Sequence, residues 1–286
     1  MNEAPSQSMP LGDGVQPGAS RRLAQLRATM ALSLRVERRK KRIWVMALVA
    51  LLPVVPPFAF LVVDALLPGE RRFGTSAMSF FRYAMGIGYF NALYVLALVY
   101  GPAAVSDEVE GKTLVHLLLR PIPRWVLVVG KFLSAWIVSA ALLVASLVLM
   151  YALIWPTQKG EGIWREAFRW DNLRVFLVDT LILVFALGAY LSLFTCLGAW
   201  FRHGERVGVV FCFGWEYLVT YLPANLKYLT LRNHVETLVP HSIMPWRAFS
   251  LRGEPLSKPA CVLILFAVMA AGLALTIRTL KRKEIR

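Results

Sequence analysis

Gly111, Lys112 and Thr113 end like a phosphate-binding loop, in which bare backbone amides cradle phosphate oxygens and a lysine reaches the outer phosphates. The pattern fails here. The first glycine of G-x-x-x-x-G-K-T falls on Ser106, and Asp107, Glu108 and Glu110 crowd the stretch where amides must face phosphate. We therefore expect no nucleotide on this chain. His116, His203, His234 and His241 are scattered, and the last two lack the i, i+4 spacing of a helical metal pair, so no metal site is expected either. No Ser/His/Asp or Cys/His set assembles for nucleophilic catalysis. What remains is two carboxylates inside apolar runs, Asp179 and Glu216. Near the middle of a membrane span an ionised carboxylate costs on the order of 3 kcal/mol unless it meets water, a partner or a proton. Asp179 lies close enough to an end to reach headgroups or Arg174, whereas Glu216, between Trp215 and Tyr217, has no such exit. Glu216 is the sharper candidate, weighed against a buried packing hydrogen bond.

The elements that carry these residues follow from composition. Of 286 residues 57% are hydrophobic and 17% charged, and the mean hydropathy of +0.56 exceeds what a water-soluble domain hides in one core. Apolar residues gather in six runs, 43–63, 84–103, 132–155, 174–201, 207–223 and 259–279, most of them near the ~20 residues that cross a bilayer as helix. The expected fold is all-α, a polytopic integral membrane protein with six transmembrane helices filling 43–279. Residues 1–20, rich in Pro, Gly, Ser and Gln, read as a disordered tail. Residues 21–42 place Leu23, Leu26, Met30 and Leu34 at helical spacing among arginines, which suits an amphipathic helix on the inner membrane surface. The run Arg38 to Arg42 before the first span argues for a cytoplasmic amino terminus, and six crossings return the 280–286 tail to that side. This assignment puts 20 of the 32 Lys/Arg inside. The formal charge of +15 flanks the spans, where anionic inner-leaflet lipid is the fitting partner; nucleic acid is not implied. Cys196, Cys212 and Cys261 fall within spans and promise no disulfide framework.

Within the fifth run, Gly204, Gly208, Cys212, Glu216, Thr220 and Ala224 recur every four residues, which gathers small and polar groups on one face for close helix packing. If the neighbour were the same helix of a second subunit, two Glu216 would confront each other and require a proton or water. Glu216, with Gly208, Cys212 and Thr220, is therefore expected to face a translocation path or subunit interface, and Asn91 in the second run is a further polar candidate. Pro53, Pro56 and Pro57 predict a kink midway along the first span. The loop 224–258 is too polar to span and is expected to form short helices on, or dipping into, the outer leaflet.

Between the second and third runs, 104–131, the order is acidic head, leucine-rich helix, proline break and basic return. Acidic residues suit a helix amino terminus, Leu114, Leu117 and Leu118 give one apolar face, and Pro121 and Pro123 stop the helix. Such a helix is built to press on a soluble partner. The string E-x-E-x-x-T-L-x-x-L-L-x-x-P-I-x-R followed by G-K, which here is Glu108, Glu110, Thr113, Leu114, Leu117, Leu118, Pro121, Arg124, Gly130 and Lys131, resembles the hallmark loop of type-2 ATP-binding-cassette (ABC) exporter permeases. One departure is local: Lys112 stands where the family usually has Gly.

The resemblance implies a permease half that pairs with a second permease subunit, as homo- or heterodimer, and receives soluble ABC ATPase subunits from the cytoplasm. In that family the loop between spans two and three is a coupling helix, which assigns coupling to Glu108, Glu110, Thr113, Leu114, Leu117 and Leu118, with Arg124 and Lys131 positioning the loop. Spans one, two and five line the path. ATP and Mg would belong to the partner ATPase, with no cofactor on this chain, and the setting would be the inner (plasma) membrane. The chain is then a transporter subunit rather than an enzyme; the rival is a non-transporting scaffold that recruits a soluble partner through 104–131.

Overall fold

The computed structural model of the chain describes residues 19–39, 41–66, 76–110, 123–158, 162–201, 203–216, 219, 226–241 and 256–283. Among them every regular element is helical. Five helices are long and apolar enough to cross a membrane: Arg42–Leu66, Ala77–Val105, Arg124–Thr157, Trp170–Trp200 and Lys258–Arg282. We call these the first, second, third, fourth and last spans. The expected run 207–223 is described only through Glu216 and at Val219; its described part, 204–216, is too short to cross alone.

The first span breaks where its prolines dictate. The helix Arg42–Leu51 tightens into a 3-10 turn, Leu52–Val54, around Pro53, and resumes as Val55–Leu66. Pro56 and Pro57 then sit in the first turn of the resumed helix, where a missing amide costs little. The second span carries a complementary irregularity, a π-helical stretch at Ala84–Tyr89. The two meet at Gly88, whose added Cβ would lie 2.8 Å from the Pro53 Cβ, so only glycine permits this approach. The second span also begins seven residues before the hydrophobic run, at Ala77, capped by Ser76, whose hydroxyl accepts the Ser79 amide at 3.2 Å. The third span likewise starts at Arg124, directly after Pro123.

The second and fourth spans form the centre, pressing Tyr89, Tyr94, Tyr100, Tyr190 and Phe194 into full burial, while the first and last spans present long apolar faces outward. The helix Ala19–Arg39 packs along the third span. Leu26, Met30 and Leu34 turn half-buried toward the protein, where Thr29 lies 3.1 Å from the position of a Cβ on Gly130 of the third span. Leu23 leaves that set and is exposed, together with Leu32 and Val36. The stripe was too narrow for two surfaces, and the third span takes most of it. At the helix's far end Glu37 holds Arg42 at 2.7 Å, and the guanidinium lies 5.3 Å over the Tyr100 ring. That cluster ties the amino-terminal helix to the first and second spans.

Candidate functional site

At the end read as cytoplasmic, the second span continues without a break as the helix Phe90–Glu110. Glu108 and Glu110 therefore lie at the far end of the described part of this helix, as a continuation of the second span. Thr113, Leu114, Leu117 and Leu118 lie outside the described residues, as does the rest of 111–122. Across that stretch Arg124 begins the third span, and about two turns later Lys131 donates from Nζ to the Ala104 carbonyl at 3.3 Å. Lys131 thus joins the two stems of the loop.

Deeper in the bundle, Gly204, Gly208, Cys212 and Glu216 are all buried, while Glu205, Arg206, Val209, Val210, Phe213 and Trp215 are exposed. A repeat of four drifts by about 40° per step on an α-helix of 3.6 residues per turn. The helix changes from α, Gly204–Val209, to the wider π turn, Val210–Glu216, and this takes up the drift. The small-residue face packs within the same chain: a Cβ on Gly208 would stand 2.4 Å from Leu98 of the second span and 3.3 Å from Phe194 of the fourth. Thr220 is outside the described residues. Asn91 donates to the Ile87 carbonyl at 2.5 Å and borders a cavity of about 500 Å³ between the first and second spans, whose walls include Leu52, Pro53, Pro56, Ile87 and Gly88.

Glu216 is fully buried and its carboxylate is met on both oxygens. Oε1 accepts the Leu231 amide at 3.0 Å, and Oε2 accepts the Arg232 amide at 3.0 Å and the Tyr190 hydroxyl at 3.1 Å. The Tyr94 hydroxyl is 3.5 Å beyond that of Tyr190. Leu231 and Arg232 open the helix Leu231–Leu238, so their amides lack intrahelical partners and carry the positive end of its dipole. A carboxylate is the natural complement of such an end. The cost of burying the Glu216 carboxylate is thereby offset by protein groups. The same helix is held from the side, since Arg232 Nε donates to Glu236 at 2.7 Å and its guanidinium lies 5.6 Å over Phe90.

Asp179 departs from expectation. It is fully buried and its Oδ2 takes His241 Nε2 at 2.6 Å, so its partner is a histidine 62 residues on rather than headgroups or Arg174. Of the 224–258 loop, the described stretch 226–241 packs into the bundle, while 224–225 and 242–255 lie outside the described residues. Leu231, Arg232, His234 and Val235 are buried in the bundle, leaving no reason for Arg232 to be accessible. Burial holds the His234 imidazole below its ordinary pKa, partly opposed by its bond to the Tyr228 carbonyl at 2.9 Å. Sequence reasoning missed Tyr190, Tyr94, Glu236 and His241 as partners. Arg232 and Glu236 were detectable as an i, i+4 pair; the tyrosines were indistinguishable from ordinary apolar filling. Among the described residues no group of three or more His, Cys, Asp or Glu is placed to hold a metal, and the three cysteines are buried and free.

A search of curated proteins gives no match. A family model described as ABC-2 family transporter protein matches residues 30–285, a range that takes in all five described spans, both stems of the 111–122 stretch and the Glu216 cluster, and the chain belongs to that family.

Proposed function

We propose that this chain is the permease subunit of an ABC exporter, moving its cargo with ATP hydrolysed on a separate ATPase that docks on the 104–131 loop. The observation that carries the reading is the family match over 30–285, joined to the position of the hallmark motif. The motif begins on the last turn of a helix that runs unbroken from Phe90 to Glu110, a rod of roughly 30 Å at 1.5 Å per residue. One end of this rod abuts the buried Tyr94–Tyr190–Glu216 cluster, and the other meets the ATPase. Lys131, bonded to Ala104, fixes the returning stem, so a push on the loop reaches both the second and third spans. The cargo path lies on the side of the second span that shows Tyr83, Ile87 and Asn91, beside the cavity at the first-span kink, and a second permease copy closes it. Gly208, Cys212 and Glu216 support this wall from behind. Thr220 is assigned to the same wall by its place in the repeat.

The test is co-purification in mild detergent followed by reconstitution. The wild type brings an ABC ATPase with it and gives ATP-dependent flux in liposomes. Charge reversal, Glu108→Lys, weakens ATPase capture by about tenfold, the scale of one charge-assisted contact. Capture of the ATPase without any ATP-dependent flux would favour the scaffold, and unaltered capture and hydrolysis in Glu108→Lys would remove the loop from the mechanism.

A further inference from the structure

We propose that Glu216 is a positioning residue that latches the outer helix, Leu231–Leu238, onto the end of the 204–216 segment, so that the two move as one body. The inference goes beyond the permease reading and would survive its failure, because it rests on the fold alone.

Three features carry it. Each carboxylate oxygen is committed to a different amide of the same helix end, both at 3.0 Å, so the side chain is oriented as well as bound. The local cap does not compete, since Thr230 Oγ1 takes the Asn233 amide and leaves those of Leu231 and Arg232 to Glu216. The far end of the outer segment is held by a different helix, through His241 and Asp179 of the fourth span. The segment 226–241 is therefore a strap whose front is tied to the 204–216 segment and whose rear is tied to the fourth span. A shift between those two helices must either carry the strap or break a tie. The π turn, Val210–Glu216, ends on the residue that makes the front tie and so stands between that tie and the α-helical stretch Gly204–Val209.

Hydrogen–deuterium exchange on the full chain in lipid nanodiscs, read over residues 226–241, tests the latch with three variants and a control. Glu216→Gln is isosteric but offers one acceptor and one donor, so in either orientation one helix amide faces an N–H. We expect exchange across 231–238 to quicken by about tenfold, with the second and fourth spans unchanged. Leu231→Pro attacks the same contact from the other side. Proline is tolerated at the first helical position and Thr230 is already extended (φ −94°, ψ 135°) as the residue before a proline must be, so the helix start survives while the amide is deleted. Leu231→Pro should act in the same direction as Glu216→Gln. Because it shortens the buried Leu231 side chain as well, Leu231→Ala, which keeps the amide, is its control and should quicken exchange less. Tyr190→Phe removes a hydroxyl from the same carboxylate while sparing both amides, and should exchange at the wild-type rate. Wild-type exchange in Glu216→Gln and Leu231→Pro overturns the latch. So does equal quickening in Tyr190→Phe, which would reveal general loosening of a buried polar cluster. Should Glu216→Gln not fold, the contrast between Leu231→Pro and Tyr190→Phe decides alone.

Discussion

His241 and Asp179 meet at 2.6 Å, the carboxylate fully buried and the imidazole nearly so, and the energetics of such a pair are asymmetric. Removing one member strands the other in a medium that cannot solvate it, at a cost of about 3–5 kcal/mol when the survivor is a charge. Replacing both with apolar groups of similar volume is close to neutral. We therefore expect His241→Ala to lower stability by about 3–5 kcal/mol. Asp179→Leu, which strands only the imidazole, should cost about 1–3 kcal/mol, and Asp179→Leu with His241→Phe should return near to wild type. Thermal unfolding of the four proteins in one nanodisc composition measures the cycle; a double variant no better than His241→Ala would show that the tie is not a simple pair. Nothing in the sequence paired these residues, because contact across 62 positions leaves no periodic trace. Glu216 was different. Its four-residue repeat with Gly204, Gly208 and Cys212 was visible, and the structure makes that face the buried one. The partner it would meet was not visible, since a backbone amide has no letter of its own.

Elements were legible where hydropathy alone decides them and misplaced where a cap does. The runs expected at 84–103 and 132–155 begin instead at Ala77 and Arg124, because a search for apolar residues stops at Arg82 and Lys131 while the helices continue back to their caps, Ser76 and Pro123. A long basic side chain near a membrane surface does not end a helix; it extends toward the interface. The first-span kink was readable from Pro53, Pro56 and Pro57, but its counterpart, the π stretch at Ala84–Tyr89, was not, and the two elements are shaped against each other through Gly88. This contact predicts a sharp contrast. Gly88→Ala places a methyl 2.8 Å from one proline ring carbon and 2.9 Å from another, and a proline ring cannot turn aside. Overpacking of this kind costs about 1–3 kcal/mol. Gly214→Ala, whose nearest neighbour is 3.8 Å away, should be within about 0.5 kcal/mol of wild type, the range of an uncrowded site. Both are read by thermal unfolding, and equal stability of the two variants would mean that the helices slide apart at no cost.

Function of the assembled protein turns on which side of the membrane the 104–131 loop faces. In the orientation we propose from the excess of Lys/Arg on the stretches assigned to the cytoplasm, 20 of 32, Glu108 lies inside and the connection between the third and fourth spans outside. The protein supplies its own clean background for a test, since Cys196, Cys212 and Cys261 are all buried and should be silent to an aqueous, membrane-impermeant maleimide. Two single introductions then report the two faces. Arg165→Cys sits at an exposed position in the short helix Ile163–Ala167 and should label in intact cells. Glu108→Cys, on the last turn of the second-span helix, should label only after the membrane is opened. The spans, the rod from Phe90 to Glu110 and the polar cluster at Glu216 are the same in either orientation. Only one orientation lets a soluble ATPase touch the loop. Labelling of Glu108→Cys in intact cells would leave the fold and the family standing and remove the drive from the proposed mechanism, because the lever would then point away from the compartment that holds ATP.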